Sequence, residues 1–122
     1  MVNLHIKETN QTPEILFNYE RGEITISGKS YPENVHDVFK ELLNAIETYK
    51  SNPQKKTTVN FHWLYYNTAT SKIIVKILTE LKSAPTALVL NWHIEKGFTM
   101  MIEKAELIKE VLDIPLEIII QE

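Results

Sequence analysis

The chain has 122 residues, 43% of them apolar and 24% charged, with a formal net charge of −3. That length fits one core but not two, and the composition excludes a disordered chain. The weak acidity, with no basic run beyond Lys55-Lys56, argues against nucleic-acid binding, and the lack of cysteine excludes disulfides, thiolate metal sites and a cysteine nucleophile.

Leu4 to Lys7 alternates weakly and reads as an edge strand, interrupted by Thr12-Pro13. Glu14 to Tyr19 and Glu23 to Ser27 alternate more clearly. Between them, Glu20-Arg21-Gly22 is a hairpin-like link in which Gly22 can take positive φ. The period then changes. Val35, Val38, Phe39, Leu42, Leu43, Ile46 and Tyr49 form one face of an amphipathic helix. Tyr31 or Asn34 is its expected N-cap, and it should stop before Asn52-Pro53.

Thr57 to Tyr65 is the strongest strand, with Val59, Phe61, Trp63 and Tyr65 on one face and Thr58, Asn60, His62 and Leu64 on the other. Ile74, Ile77, Leu78 and Leu81 predict a second helix that Pro85 ends. Ala87 to Ile94 is another strand. Phe98, Met101, Ala105, Ile108 and Leu112 mark a third helix, and Pro115 to Ile120 is a short, nearly continuous apolar strand covered on at least one face. The order is β-β-β-α-β-α-β-α-β in one domain over residues 1–122. It predicts an α/β fold with a mixed sheet: an opening antiparallel hairpin, then parallel strands with right-handed crossovers and helices mainly on one face. No apolar run approaches the ~20 residues of a membrane span. Met1 to Asn10 lacks the apolar segment of a signal peptide. No membrane insertion and a cytoplasmic location are therefore expected.

Chemistry is sparse. His5, His36, His62 and His93 include no pair at metal-ligand spacing, so no metal is expected. His62 and His93 fall in neighbouring strands and read as sheet-face residues. Gly22, Gly28 and Gly97 are isolated, which excludes Walker and dinucleotide loops and leaves no cofactor to expect. The carboxylates are scattered, with no pair placed for acid–base work, so the chain reads as a non-enzyme. The aromatic run from Phe61 to Tyr66 lacks interleaved basic residues and reads as core plus rim.

One segment remains, Tyr65-Tyr66-Asn67-Thr68-Ala69-Thr70-Ser71-Lys72, where a strand hands over to a helix. Asn67, Thr68, Thr70 and Ser71 are all good capping residues, and one cap needs only one of them. The first turn of a helix favours an anion. A phosphate added to a hydroxyl there brings roughly −1.5 to −2 charges, enough to break or create a docking contact. The same turn would also serve a small-anion or phosphate-ligand binding domain. Capping and dipole arguments do not choose among the hydroxyls.

Thr12-Pro13-Glu14-Ile15, Ile26-Ser27-Gly28-Lys29-Ser30-Tyr31-Pro32-Glu33-Asn34, Tyr66-Asn67-Thr68-Ala69-Thr70-Ser71-Lys72 and Asn91-Trp92 resemble, in order, the SiaC-type biofilm-regulation phosphoproteins. The resemblance covers nearly the whole chain. It implies a fold and logic like those of the STAS-like anti-sigma-factor antagonists. Such a protein is the substrate in a partner switch. A serine/threonine kinase of the histidine-kinase-like ATPase type phosphorylates it, and a PP2C-type phosphatase reverses this. The unphosphorylated form binds and activates a diguanylate cyclase. The resemblance makes Thr68 the phosphoacceptor, with Thr70 and Ser71 as the runners-up, and Tyr66, Asn67, Thr70, Ser71 and Lys72 as switch and partner-binding residues. The chain departs from it between His93 and Met101, where Lys96, Gly97 and Phe98 accompany the single acid Glu95 in place of a strongly acidic stretch.

Overall fold

A computed structural model of the protein describes residues 3–121; Met1, Val2 and Glu122 lie outside that description. Six strands form one sheet in sequential order: β1 (Leu4–Ile6), β2 (Glu14–Asn18), β3 (Glu23–Ser30), β4 (Lys56–Tyr66), β5 (Ala87–Glu95) and β6 (Leu116–Gln121). β2 runs antiparallel to both of its neighbours, β1 and β3, and β3 to β6 run parallel. Each parallel step is bridged by a helix: α1 (Val35–Tyr49), α2 (Thr68–Lys82) and α3 (Thr99–Leu112). Because every crossover moves to the next strand in the same direction, a constant right-handed turn puts all three helices on one side. The expected element order and mixed sheet are those observed.

That side is the core. Ile24, Ile26, Val59, Phe61, Leu90 and Trp92 of the sheet meet Phe39, Leu42, Ile74, Leu78 and Ala105 of the helices, all fully buried. The opposite face carries no helix among the described residues and is polar in its centre. There Asn91 Nδ2 donates to Asn60 Oδ1 at 3.2 Å, and the His62 and His93 rings stack with centroids 4.1 Å apart. These two histidines are sheet-face residues, as the alternation implied, and they also touch.

Two backbone details set the strand ends. Gly22 has φ +62°, and a Cβ there would stand 2.7 Å from both the Lys56 carbonyl oxygen and the Tyr49 hydroxyl, so the tight β2–β3 turn needs glycine. On β4 the pairing with β3 jumps from Gly28↔Trp63 to Lys29↔Tyr65, leaving Leu64 as an extra residue. This bulge reverses the alternation. Trp63 points into the core, Tyr65 is 48% exposed, and Tyr66 is 2% exposed. The expectation that Tyr65 shares the core face of Val59, Phe61 and Trp63 is thus corrected. A strict period of two holds only up to the bulge.

The helix starts also resolve. Asn34 caps α1, its side chain accepting from the Asp37 N–H. Tyr31 does not cap it. Its hydroxyl instead donates to the Asn10 carbonyl at 2.7 Å and pins the chain before β2. β3 runs to Ser30, beyond the expected end at Ser27, because Gly28 to Ser30 keep pairing with β4 across the bulge.

Candidate functional site: the junction of β4 and α2

The bulge delivers the chain to the start of α2 with Tyr66 inside and Asn67 at the helix cap. Asn67 Oδ1 accepts from the Thr70 N–H at 2.9 Å, and the Asn67 carbonyl accepts from the Ser71 N–H at 3.0 Å. The Asn67 N–H donates to the Ser30 carbonyl at 3.0 Å, which ties the junction to the end of β3.

The four capping-type residues have separate roles. Asn67 is the cap. Thr70 is fully buried; its hydroxyl shares a 2.8 Å hydrogen bond with the buried Ser30 hydroxyl and also donates to the Ser30 carbonyl at 3.3 Å. Ser71 is half-buried and donates its hydroxyl to the Thr68 carbonyl at 2.7 Å. Thr68, the first residue of α2, is exposed, and its hydroxyl makes no hydrogen bond among the described residues. Three groups are thus engaged in building the turn, and one hydroxyl faces solvent.

Thr68 stands on the rim of a groove of about 290 Å³ between α2 and α3. Buried Tyr66 and Ile108 floor it; Ser71 and Val75 line one side, and Leu107 and Val111, both more than half exposed, line the other. Lys104 closes one end. Its Nζ donates to the Tyr66 carbonyl at 2.9 Å and sits 4.3 Å from the Tyr66 ring centroid and 5.5 Å from that of Tyr65. Burial holds the Tyr66 phenol far above its ordinary pKa, so it stays neutral. Beyond Lys104 lies a second apolar hollow, lined by Leu64, Tyr65, Phe98, Met100 and Met101.

Of the sequence-predicted residues, Tyr66, Thr68 and Ser71 therefore meet in one groove. Asn67 and Thr70 are bracing beneath it, and Lys72 is exposed one helical turn after Thr68. Sequence reasoning missed Ser30, Lys104, Leu107 and Val111. Ser30 lay inside one of the distinctive stretches, but nothing local ties it to Thr70, 40 positions further on. Lys104 gave no local signal, since it reaches Tyr66 across 38 positions of chain.

Among the described residues no cluster of three or more His, Cys, Asp or Glu side chains could hold a metal ion. No helix among the described residues is long and apolar enough to cross a membrane. The fold and site define a small α/β domain that presents an unengaged hydroxyl beside an apolar groove.

The chain belongs to the SiaC family of regulatory phosphoproteins, whose family model matches residues 6–121. It is 30% identical over 97% of its length to an uncharacterised protein of Pseudomonas aeruginosa, covering 96% of that protein. Its structure matches SiaC of Pseudomonas aeruginosa with a TM-score of 0.87 at 28% identity, covering 99% of this chain and 100% of that one. It also matches SiaC from the crystal structure of the diguanylate cyclase SiaD in complex with its activator SiaC, again of Pseudomonas aeruginosa. That TM-score is 0.87 at 28% identity, covering 97% of this chain and 99% of that one.

Proposed function

We propose that the chain is a phosphorylation-controlled partner-switching regulator and that Thr68 is its phosphoacceptor. The carrying observation is the division of labour at the junction: Thr68 alone among the clustered hydroxyls is exposed and unengaged, whereas Thr70 is fully buried. A kinase of the histidine-kinase-like ATPase type transfers the γ-phosphoryl of ATP to Thr68 Oγ1, releasing ADP and the hydroxyl proton. A PP2C-type phosphatase hydrolyses the ester. The unphosphorylated form, acting in the cytoplasm as one unit, binds and activates a diguanylate cyclase, as SiaC does for SiaD.

The apolar groove beside Thr68 supports this reading. Exposed Leu107 and Val111 on one side of Lys104, and Tyr65, Phe98 and Met100 on the other, give a protein partner apolar anchors next to the switch. A dianion at the rim opposes such docking through desolvation. The groove is shallow and mostly apolar, unlike a pocket that encloses a small anion.

The test is intact-mass analysis of the chain after incubation with ATP and a cognate kinase of that type. One added phosphoryl group, absent in Thr68→Ala, is expected. Modification that persists in Thr68→Ala overturns the assignment. A large thermal shift with inorganic phosphate, and no modification by the kinase, would replace it with a ligand-binding role.

A further inference from the structure

The groove holds one charged side chain, Lys104, and its position is unusual. It is half-buried, and no carboxylate among the described residues lies within ion-pair reach of it. Its bonding partners are a neutral carbonyl and two aromatic faces, at Tyr66 and Tyr65. Both are weaker attractions for an ammonium than a phosphate dianion, which offers charge-assisted hydrogen bonds. Thr68 lines the same groove, two residues beyond the carbonyl that Lys104 now holds.

We propose that Lys104 is the phosphate-reading residue of the switch: when Thr68 carries a phosphoryl group, the ammonium leaves the Tyr66 carbonyl and the two rings and pairs with the phosphate. This rests on Thr68 being the acceptor. The lysine is well placed to transmit the change, because it forms the partition between two apolar hollows. One holds Thr68, Leu107 and Val111; the other holds Tyr65, Phe98 and Met100. Drawing Lys104 toward Thr68 covers the first hollow and uncovers the Tyr65 ring in the second. A modification on α2 is thereby felt by a surface built from β4 and α3. Lys72, though only one turn from Thr68, lies outside the groove and is free in solvent, where its attraction is screened.

The test uses the full chain with phosphothreonine placed at position 68 by genetic encoding, so that it does not depend on any kinase. Phosphorus NMR then follows the second ionisation of the phosphate against pH. A neighbouring cation favours the dianion, so Lys104→Met should raise the titration midpoint by roughly half a pH unit. Lys104→Arg should keep it low, and Lys72→Met should move it less. A midpoint unchanged by Lys104→Met, or one that Lys72→Met raises as far, overturns the proposal. In the unsubstituted chain the Tyr65 and Tyr66 ring-proton signals should shift between the hydroxyl and phosphorylated forms, and unmoved rings overturn it independently of how the variants fold. If the kinase fails to modify Thr68, the proposed function fails while the Lys104 result stands.

Discussion

The junctions β4–α2 and β5–α3 occupy equivalent places, side by side at the same edge of the sheet, and are built in opposite ways. At the first, Asn67 caps the helix, Thr70 is bolted to Ser30, and the backbone of Asn67 is tied to β3. At the second, Lys96-Gly97-Phe98 turns through Gly97 at φ +93°, and Phe98 takes the cap position without a side-chain hydrogen bond. Phe98 is 42% exposed and Met100 70%. The polar junction consumes its side chains in fixing one hydroxyl on a rigid platform. The apolar junction forgoes a cap and leaves hydrophobic surface in water. One presents an unengaged hydroxyl and the other exposed apolar surface, and Lys104 stands between them.

That contrast can be broken most sharply by function. Thr68→Ala should reduce phosphoryl incorporation from one group per chain to none by mass spectrometry, with little change in stability. Phe98→Ser with Met100→Ser should leave incorporation intact but weaken cyclase binding by about tenfold or more, as measured by calorimetry, since exposed apolar anchors carry binding energy. If the second pair of changes abolishes phosphorylation as well, the division of roles is wrong.

The next effect is on stability. Thr70→Val leaves the buried Ser30 hydroxyl without its side-chain partner and should cost about 1–3 kcal/mol in urea unfolding. Smaller again is the cap. Asn67→Ala should cost about 1 kcal/mol, whereas Phe98→Asp, which installs a cap where none exists, should lose nothing or gain about 0.5 kcal/mol. Equal losses at both positions would erase the contrast.

The smallest effect lies away from both junctions, on the open sheet face. Burial, then the neighbouring His93, holds the His62 pKa below its ordinary value. The unfolded chain therefore takes up that proton first as pH falls. Stability should decline as pH drops from neutrality through the ordinary histidine range. His62→Gln should flatten that slope in thermal melts at a series of pH values.

Much of this molecule was legible in one dimension. The shift from period two to period 3.6, the Gly22 turn and the prolines gave the element order, because burial of one face imposes those periods locally. The strand-to-helix junction was legible too, because capping is an interaction between residues three apart. The bulge at Leu64 was not, since it exists only in the pairing of β4 with β3. It is what puts Tyr66 inside and Tyr65 outside.

The sequence by itself determined that a cluster of hydroxyls would sit at a helix start, for that depends on near neighbours alone. Only the tertiary structure decided which hydroxyl is unengaged. Ser30 reaches Thr70 across 40 positions and Lys104 reaches Tyr66 across 38. Contacts at that separation follow from how strands pair and helices cross, and these are settled when the whole core is packed.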